Sequence, residues 1–305
     1  MFACLTEFAD LVAVPVNESV QRGERVLAVV APEVENSLRE HLEVLGVASD
    51  AVEFARPELV FATGPQTTVR DFGQRCAELV ASGPAAIVAH YQPWMDAYVL
   101  ALRECLGNLA FARAPLTVFC GCSWAEPGHH DVFFHTHPSL WSHDGAVANP
   151  DFRKPRDVLA SHPAPALAPL RDPDQQMDFD GGDLRTLRRF VTHHGTLHGL
   201  DGAEALELAQ AANEVAANSV EHGGGRGRLA IWHEPGELIW EIRDSGKLDL
   251  GQLFGLATPK PNDRRGRGLW MARRFVDDLY IWQDSTGTAV RAKVSHRYNR
   301  PSVLR

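Results

Sequence analysis

The sequence predicts an α/β protein of two domains, and three observations carry that prediction. Short apolar runs alternate with helix-length amphipathic segments through the first half, the pattern of a mainly parallel sheet flanked by helices. A proline-rich stretch, with four prolines between His162 and Asp174, then interrupts the alternation, and repeated proline favours extended chain over packed structure. Beyond it, a long amphipathic helix followed by several strand-like runs describes a second α/β sandwich. The 305 residues exceed the usual size of one domain, and 45% hydrophobic residues supply two ordinary cores. The expected division is a first domain at residues 1–160, a linker at 161–175 and a second domain at 176–298.

In the first domain, Val26 to Val30 reads as a short buried strand, Pro32 as a helix start, and Val34 to Leu45 as the amphipathic helix that follows. Val52 to Phe54, Ala85 to Ala89 and Leu116 to Cys120 continue the strand series. Helical segments over Val69 to Ala81 and Tyr98 to Ala112 lie between them. No internal repeat is evident. In the second domain, Leu206, Leu208, Ala209, Ala212, Val215, Ala216 and Val220 supply an apolar surface along one helix. Leu238 to Ile242 follows as a strand. Met271, Phe275 and Val276 mark another amphipathic segment, before two strand-like runs, Val276 to Trp282 and Gly287 to Val294, joined by a turn.

Composition narrows the function classes. The net charge of −9 and an isoelectric point near 5.9 provide no electrostatic footprint for direct nucleic-acid binding. The local basic cluster Arg264, Arg265, Arg267, Arg273 and Arg274 suits phosphates or an acidic protein partner. No apolar run reaches the roughly 18 residues of a membrane span, and the N-terminus has no basic region followed by an apolar core. The expected location is the cytoplasm, without membrane attachment. Five cysteines, an odd number, do not describe a disulfide scaffold in a chain of this size.

Chemistry concentrates in the second domain. Glu214, Asn218 and His222 recur at four-residue spacing, so on a helix they share one face, opposite the apolar surface. Magnesium takes hard oxygen ligands and keeps several waters, so one amide oxygen plus substrate phosphates can hold it, and Asn218 is the candidate. Glu214, one turn earlier, is placed to accept a proton from an attacking hydroxyl, and His222 to approach phosphate oxygens. A solvated helix face that happens to repeat these residues is the alternative. After the strand Leu238 to Ile242 comes Arg243-Asp244-Ser245-Gly246, where a carboxylate at a strand end can bond an adenine amino group. Downstream, Arg265-Gly266-Arg267-Gly268-Leu269 opens a helix, and glycines there let backbone N–H groups face an anion. The order of the three motifs joins them into one composite site. About twenty residues separate Asp244 from Gly266, enough for a lid.

With these motifs the second domain resembles the GHKL ATPases (gyrase, Hsp90, histidine kinases and MutL), and within them the anti-sigma-factor serine kinases of the RsbW type. Glu214-x-x-x-Asn218-Ser-x-x-His222 is similar to their N box, Asp244-x-Gly246 to their G1 box and Gly266-Arg-Gly268-Leu269 to their G2 box. Met271 to Asp277 and the Gly287-Thr288 turn resemble that group as well, over residues 178–296 in all. Leu184 to Val191 resembles the first helix of such a domain. The resemblance implies a Bergerat-type α/β sandwich, with ATP and magnesium bound, Asn218 on the metal, Glu214 as general base and Asp244 at adenine. His222, Gly246, the loop Arg265 to Leu269 and Thr288 complete the nucleotide site. Lys247 departs from the pattern, standing where many members place glycine or a small residue. The implied activity is phosphorylation of a serine or threonine on an anti-anti-sigma partner, with a sigma factor as the second partner. Alternatives are a catalytically weak nucleotide-binding anti-sigma or scaffold protein, and a sensor histidine kinase. His193, His194 and His198 read as helix-end or surface histidines. A homodimer is compatible with the sequence.

The first domain resembles the MEDS sensory domains, which are related in fold to RecA-type ATPases. Gly23-Glu-Arg-Val-Leu, Glu104-x-x-x-Asn108-Leu-Ala-Phe111, Cys120 at a strand end and Thr136-His137-Pro138 carry the likeness. The chain departs from the family in reading Gly-Cys-Ser after Cys120 and in lacking an N-terminal histidine. A RecA-like α/β sandwich that responds to a small-molecule or redox signal is the expectation. With no Gly-x-x-x-x-Gly-Lys-Ser/Thr loop in this half, ATP hydrolysis is not expected there. Cys120, Cys122, His129, His130, His135, His137 and His143 lie close in sequence, and Cys120, Cys122, His135 and His137 are the zinc candidates. Buried thiols and loop histidines are the alternative. Tyr91, Trp94, Trp124 and Trp141 either line an aromatic pocket or pack in a core.

Overall fold

The computed structural model describes residues 5–57, 75–90, 97–121, 127–142, 144–247, 255 and 267–295. The chain divides into two compact units that part between Val158 and Leu159.

The first unit alternates helices and strands. Helix Leu5–Gln21 precedes β1 (Arg25–Val29), helix Pro32–Val44, β2 (Val52–Ala55), β3 (Ala85–His90), helix Ala97–Phe111 and β4 (Leu116–Gly121). Helix Pro127–Thr136, β5 (Ser139–Ser142) and β6 (Gly145–Ala148) follow, and the short helix Pro155–Ser161 contains the division between the units. Strands β1 to β4 form a sheet of order β2-β1-β3-β4 in which every neighbour is parallel, as the alternation predicts. The two central strands are the two most continuous apolar runs, because a parallel sheet covered on its faces leaves them no solvent side. On one face, Phe8, Val12 and Val16 of the first helix and Val34, Leu38 and Leu42 of the second bury Val26, Ala28, Ala86 and Val88. Pro32 opens its helix, where the missing N–H is harmless and the fixed φ suits the first turn.

The sequence pattern does not anticipate helix Leu5–Gln21, whose internal Pro15 reads as a breaker. Burial of Phe8, Val12 and Val16 against the sheet outweighs the lost backbone bond. Of the helix expected over 69–81, residues 75–80 are helical and 69–74 lie outside the described residues.

In the second unit, β7 (Gln175–Asp180), helix Leu184–Leu197 and helix Gly202–His222 lead into β8 (Arg226–Glu234) and β9 (Glu237–Asp244). Helix Arg267–Phe275, β10 (Asp278–Asp284) and β11 (Gly287–Ser295) complete it. The sheet runs β10-β11-β9-β8-β7, antiparallel throughout. The long helix starts with a capping box: the Asp201 carboxylate accepts from the Glu204 N–H at 2.8 Å, and Glu204 accepts in return from the Asp201 N–H at 3.0 Å. Ala205, Leu208, Ala212, Val215 and Ser219 then form its buried stripe. They pack in one core with Leu187 and Val191 of the preceding helix and with Leu229, Trp240 and Ile242 of the sheet. Leu206, expected on that stripe, is 63% exposed. At about 100° per residue it turns away from Ala205 and Leu208, so the apolar surface is narrower than the sequence implies.

The opposite sheet face carries a buried charge cluster. Glu241 takes the guanidinium groups of Arg243 and Arg291 on its two oxygens at 2.6 and 2.7 Å, and both guanidiniums lie over the Trp282 ring. Arg291 also donates to the Ala168 carbonyl at 3.1 Å, and the Trp232 indole to the Arg171 carbonyl at 2.7 Å. Within the stretch expected as a linker, residues 168–174 are thus fastened to the second sheet. Among the described residues, no helix is long and apolar enough to cross a membrane.

Burial pushes the His90 imidazole at the end of β3 down to about 4 from its ordinary 6.5. The folded state holds it neutral where the unfolded chain binds a proton. Its contribution to stability is therefore complete above pH 6.5 and is lost as pH falls towards 4. The urea midpoint of His90→Leu should fall less steeply with acidification through that window than the wild-type midpoint; parallel slopes would remove His90 from the acid response.

Candidate functional site

Three elements of the second unit converge on one carboxylate. Asp244 ends β9, and its Oδ2 accepts from the buried Ser219 hydroxyl of the long helix at 2.6 Å, while its Oδ1 accepts from the Gly246 N–H at 2.8 Å. In register beside it on β11 stands Thr288, whose hydroxyl donates to the Gly246 carbonyl at 3.0 Å. Ser245 closes the turn by donating both its N–H and its hydroxyl to the Gly223 carbonyl, each at 3.1 Å. Asp244, Gly246 and Thr288, predicted as site residues, are therefore assembled together.

Glycines make this approach possible. A Cβ on Gly223, just beyond the long helix, would lie 2.4 Å from the Asp244 carboxyl carbon. One on Gly246 would lie 2.8 Å from the Gly223 Cα, and Gly287, at φ 138°, has the Asp244 carbonyl oxygen 2.0 Å from where its Cβ would stand. Three separate segments thus approach more closely than a side chain at any of these glycines would allow.

Glu214 and Asn218 are both half-buried on the same helix. Glu214 Oε1 accepts from the Gln210 amide at 2.6 Å, one turn back. Its Oε2 faces Gly268 so closely that a Cβ there would come within 2.4 Å. The first residues of the glycine motif's helix therefore rest on the carboxylate of the long helix. Asn218, the candidate magnesium ligand, stands one turn on from Glu214 along that helix. His222 departs from the other two: its side chain is 66% exposed and its neighbour is Glu221 at 3.7 Å. The helix ends at His222.

Arg267, Gly268 and Leu269 open helix Arg267–Phe275, with Leu269 packed against the core. Arg264, Arg265 and Gly266 lie outside the described residues, as does most of the expected lid. Gly255, within that lid, is described: at φ 76°, a Cβ on it would meet the backbone of Leu269 and Trp270 at 2.5 Å.

Ser219 belongs to the Glu214-to-His222 motif, but the motif does not name its partner; Gln210 reads as a surface residue and Gly223 as an ordinary helix end. Their roles arise from what folds against them. His194, expected at the surface, is 7% exposed, with Nδ1 3.3 Å from His233 Nε2, and burial followed by the His233 charge holds it below the usual imidazole range. His193 remains exposed.

In the first unit the structure brings Cys120 and His137 together with Glu104, one ligand atom of each lying within 4.8 Å of the others. His135 is outside this group. Cys122, His143, Tyr91, Trp94 and Trp124 lie outside the described residues, and Trp141 stands edge-on to Phe119 in a cavity wall. Burial, followed by the Glu104 charge, raises the Cys120 thiol well above its ordinary range.

Gly223→Ala should displace the Asp244 carboxylate and cost about 1–3 kcal/mol of unfolding free energy, the usual effect of forcing an atom into a packed site. Gly202→Ala, whose Cβ meets nothing within 4 Å, is the matched control and should not destabilise. Chemical denaturation of the two variants makes the comparison.

Residues 179–294 match the family model of the histidine kinase-like ATPase domain. No curated protein matches the chain. The matched span runs from Phe179 in β7 to Val294 in β11, and so takes in every element that meets at Asp244. The second unit therefore contains a GHKL-type ATPase domain, and the Asp244 assembly lies within it.

Proposed function

We propose that the chain is a sensor-linked anti-sigma regulator that binds ATP with magnesium and phosphorylates a serine or threonine of an anti-anti-sigma partner. One observation supports this reading above the others. Glu214 and Asn218 share a helix whose next residue, Ser219, is bonded to Asp244, so a base, a neutral oxygen ligand and an adenine-type acceptor belong to one rigid assembly.

The residues fit the substrate. Asp244 keeps lone pairs beyond those given to Ser219 and Gly246, and can accept from an adenine amino group. Asn218 offers magnesium an uncharged oxygen, and the metal when bound offsets phosphate charge. Glu214 takes the proton as the partner's hydroxyl oxygen bonds to the γ-phosphorus and the bond to the β,γ-bridging oxygen breaks, leaving ADP. Gly268, with the neighbouring Arg265, Gly266, Arg267 and Leu269, and with Thr288 and His222, accounts for the remaining contacts. Phosphorylation adds charge to the partner and weakens its hold, which frees the kinase domain, residues 176–298, for a sigma factor. A MEDS-like sensory domain at residues 1–160, joined through 161–175, supplies the controlling signal, and the protein works in the cytoplasm.

A second reading has its own support. Gln210 already occupies one Glu214 oxygen and Gly268 abuts the other, an arrangement suited to a nucleotide-binding anti-sigma or scaffold protein that transfers nothing.

Incubation with labelled ATP and captured partners separates the two. Acid-stable label on a partner serine or threonine supports transfer. Glu214→Gln should reduce that label by about 100-fold or more, within the range of general-base catalysis, and leave nucleotide affinity within a few-fold. Wild-type labelling by the variant would overturn the base assignment, acid-labile label on the chain itself would point to a histidine kinase, and no label with tight ATP binding would favour the scaffold.

A further inference from the structure

We propose that Glu104, Cys120 and His137 form a three-ligand zinc centre in the first unit, with an open coordination position towards an apolar cavity of about 580 Å³. The centre is independent of the nucleotide chemistry of the second unit.

The three residues come from separate elements: Glu104 from helix Ala97–Phe111, Cys120 from β4, and His137 from the residue after helix Pro127–Thr136. Their ligand atoms lie within 4.8 Å of one another, and His137 Nε2 is 3.8 Å from Glu104 Oε2. Bonds of about 2.0–2.3 Å to a tetrahedral ion place ligand atoms roughly 3.3–3.8 Å apart, so the group closes on a metal with small movements.

Surrounding bonds aim the ligands. His137 Nδ1 donates to the Phe133 carbonyl at 2.9 Å, which puts the ring proton there and leaves the Nε2 lone pair facing Glu104. The ring stacks on Phe133, and the His137 carbonyl accepts from the buried Asn149 amide at 2.7 Å. Arg103 holds Glu104 Oε1 at 2.9 Å, leaving Oε2 towards His137. Asn108, one turn beyond Glu104, donates to the Thr136 carbonyl at 2.8 Å. Two residues on one helix face thus serve one centre: Glu104 as ligand, Asn108 by fixing the backbone that carries His137.

The donor set selects the ion. One thiolate, one imidazole and one carboxylate suit borderline-soft zinc, whereas magnesium and calcium demand oxygen ligands alone. A simple His137–Glu104 ion pair accounts for two of the groups but gives the thiol no part. Among the described residues three protein ligands meet, the number found in zinc sites that keep a position for an exchangeable molecule. Cys120 and His137 belong to the cavity wall, which Phe8, Val12, Phe119, Phe133 and Trp141 continue. The ligand class is therefore a small apolar molecule with one nitrogen or sulfur donor.

The test uses the full chain, stripped with chelator and reloaded with zinc or cobalt(II). The wild type should retain one zinc per chain and, with cobalt, show thiolate charge-transfer and four-coordinate visible bands. Cys120→Ser should lose the charge-transfer band, and Glu104→Gln and His137→Asn should weaken zinc binding by about tenfold or more, while His130→Asn retains it. 4-Phenylimidazole, an apolar body with one nitrogen donor, should shift the visible cobalt bands. Less than about a tenth of a zinc with no charge-transfer band in the wild type, or Cys120→Ser binding as tightly as wild type, overturns the centre. Unchanged bands with 4-phenylimidazole overturn the open position. Should a variant fail to fold, alkylation of wild-type Cys120 decides: protection by zinc supports ligation, and equal labelling with and without zinc refutes it.

Discussion

The contact between the Asp244 carboxylate and the buried Ser219 hydroxyl is the constraint on which the candidate site depends. It fixes the long helix against the end of β9, and the Gly246 N–H on the other oxygen fixes the turn that follows. A carboxylate hydrogen bond is among the stronger kinds, and here it is packed where side chains have been removed at Gly223, Gly246 and Gly287. The glycines carry no chemistry of their own. They let three backbones come close enough for one side chain to join them, and so hold Asn218 and Glu214 at a set distance from the sheet.

That rigidity has a foundation on each face of the sheet. On one, the capping box at Asp201 and the stripe from Ala205 to Ser219 keep the long helix from rolling, since rolling would expose Leu208 and Val215. On the other, Glu241, Arg243, Arg291 and Trp282 form a cluster in which buried charges are paired, and Arg291 reaches the carbonyl of Ala168. Breaking such a pair leaves a buried charge uncompensated, which is why it localises the chain that covers it. The end of the proline-rich stretch thereby becomes part of the second sheet's packing.

The first unit uses the same economy at another place. Glu104 and Asn108 are one turn apart on a helix, yet one points a carboxylate oxygen at His137 and the other secures the carbonyl just before it. Asn149 secures the carbonyl of His137 itself. The histidine is thus held from both sides beside the cavity, with its tautomer set by Phe133.

By itself the sequence determined the α/β class, the parallel order of apolar runs in the first unit, and the Glu214, Asn218, Asp244 and Gly268 motifs of the second, because periodicity and local spacing are written in neighbouring residues. It also marked Cys120 and His137 within a crowded Cys/His segment, without separating them from His135. Only the tertiary structure decided that Ser219 and Gly223 serve Asp244, that Gln210 and Gly268 bound Glu214, that His222 projects into solvent and His194 does not, and that Glu104 is the residue joining Cys120 and His137. Helix Leu5–Gln21 was hidden for a related reason, since its Pro15 opposes the local preference that sheet burial overrides. Gln210 beside Glu214 apart, the deciding partners are distant in sequence, and a hydrogen bond, a missing Cβ or a buried face exists only once the chain has folded to bring such a partner within a few ångströms.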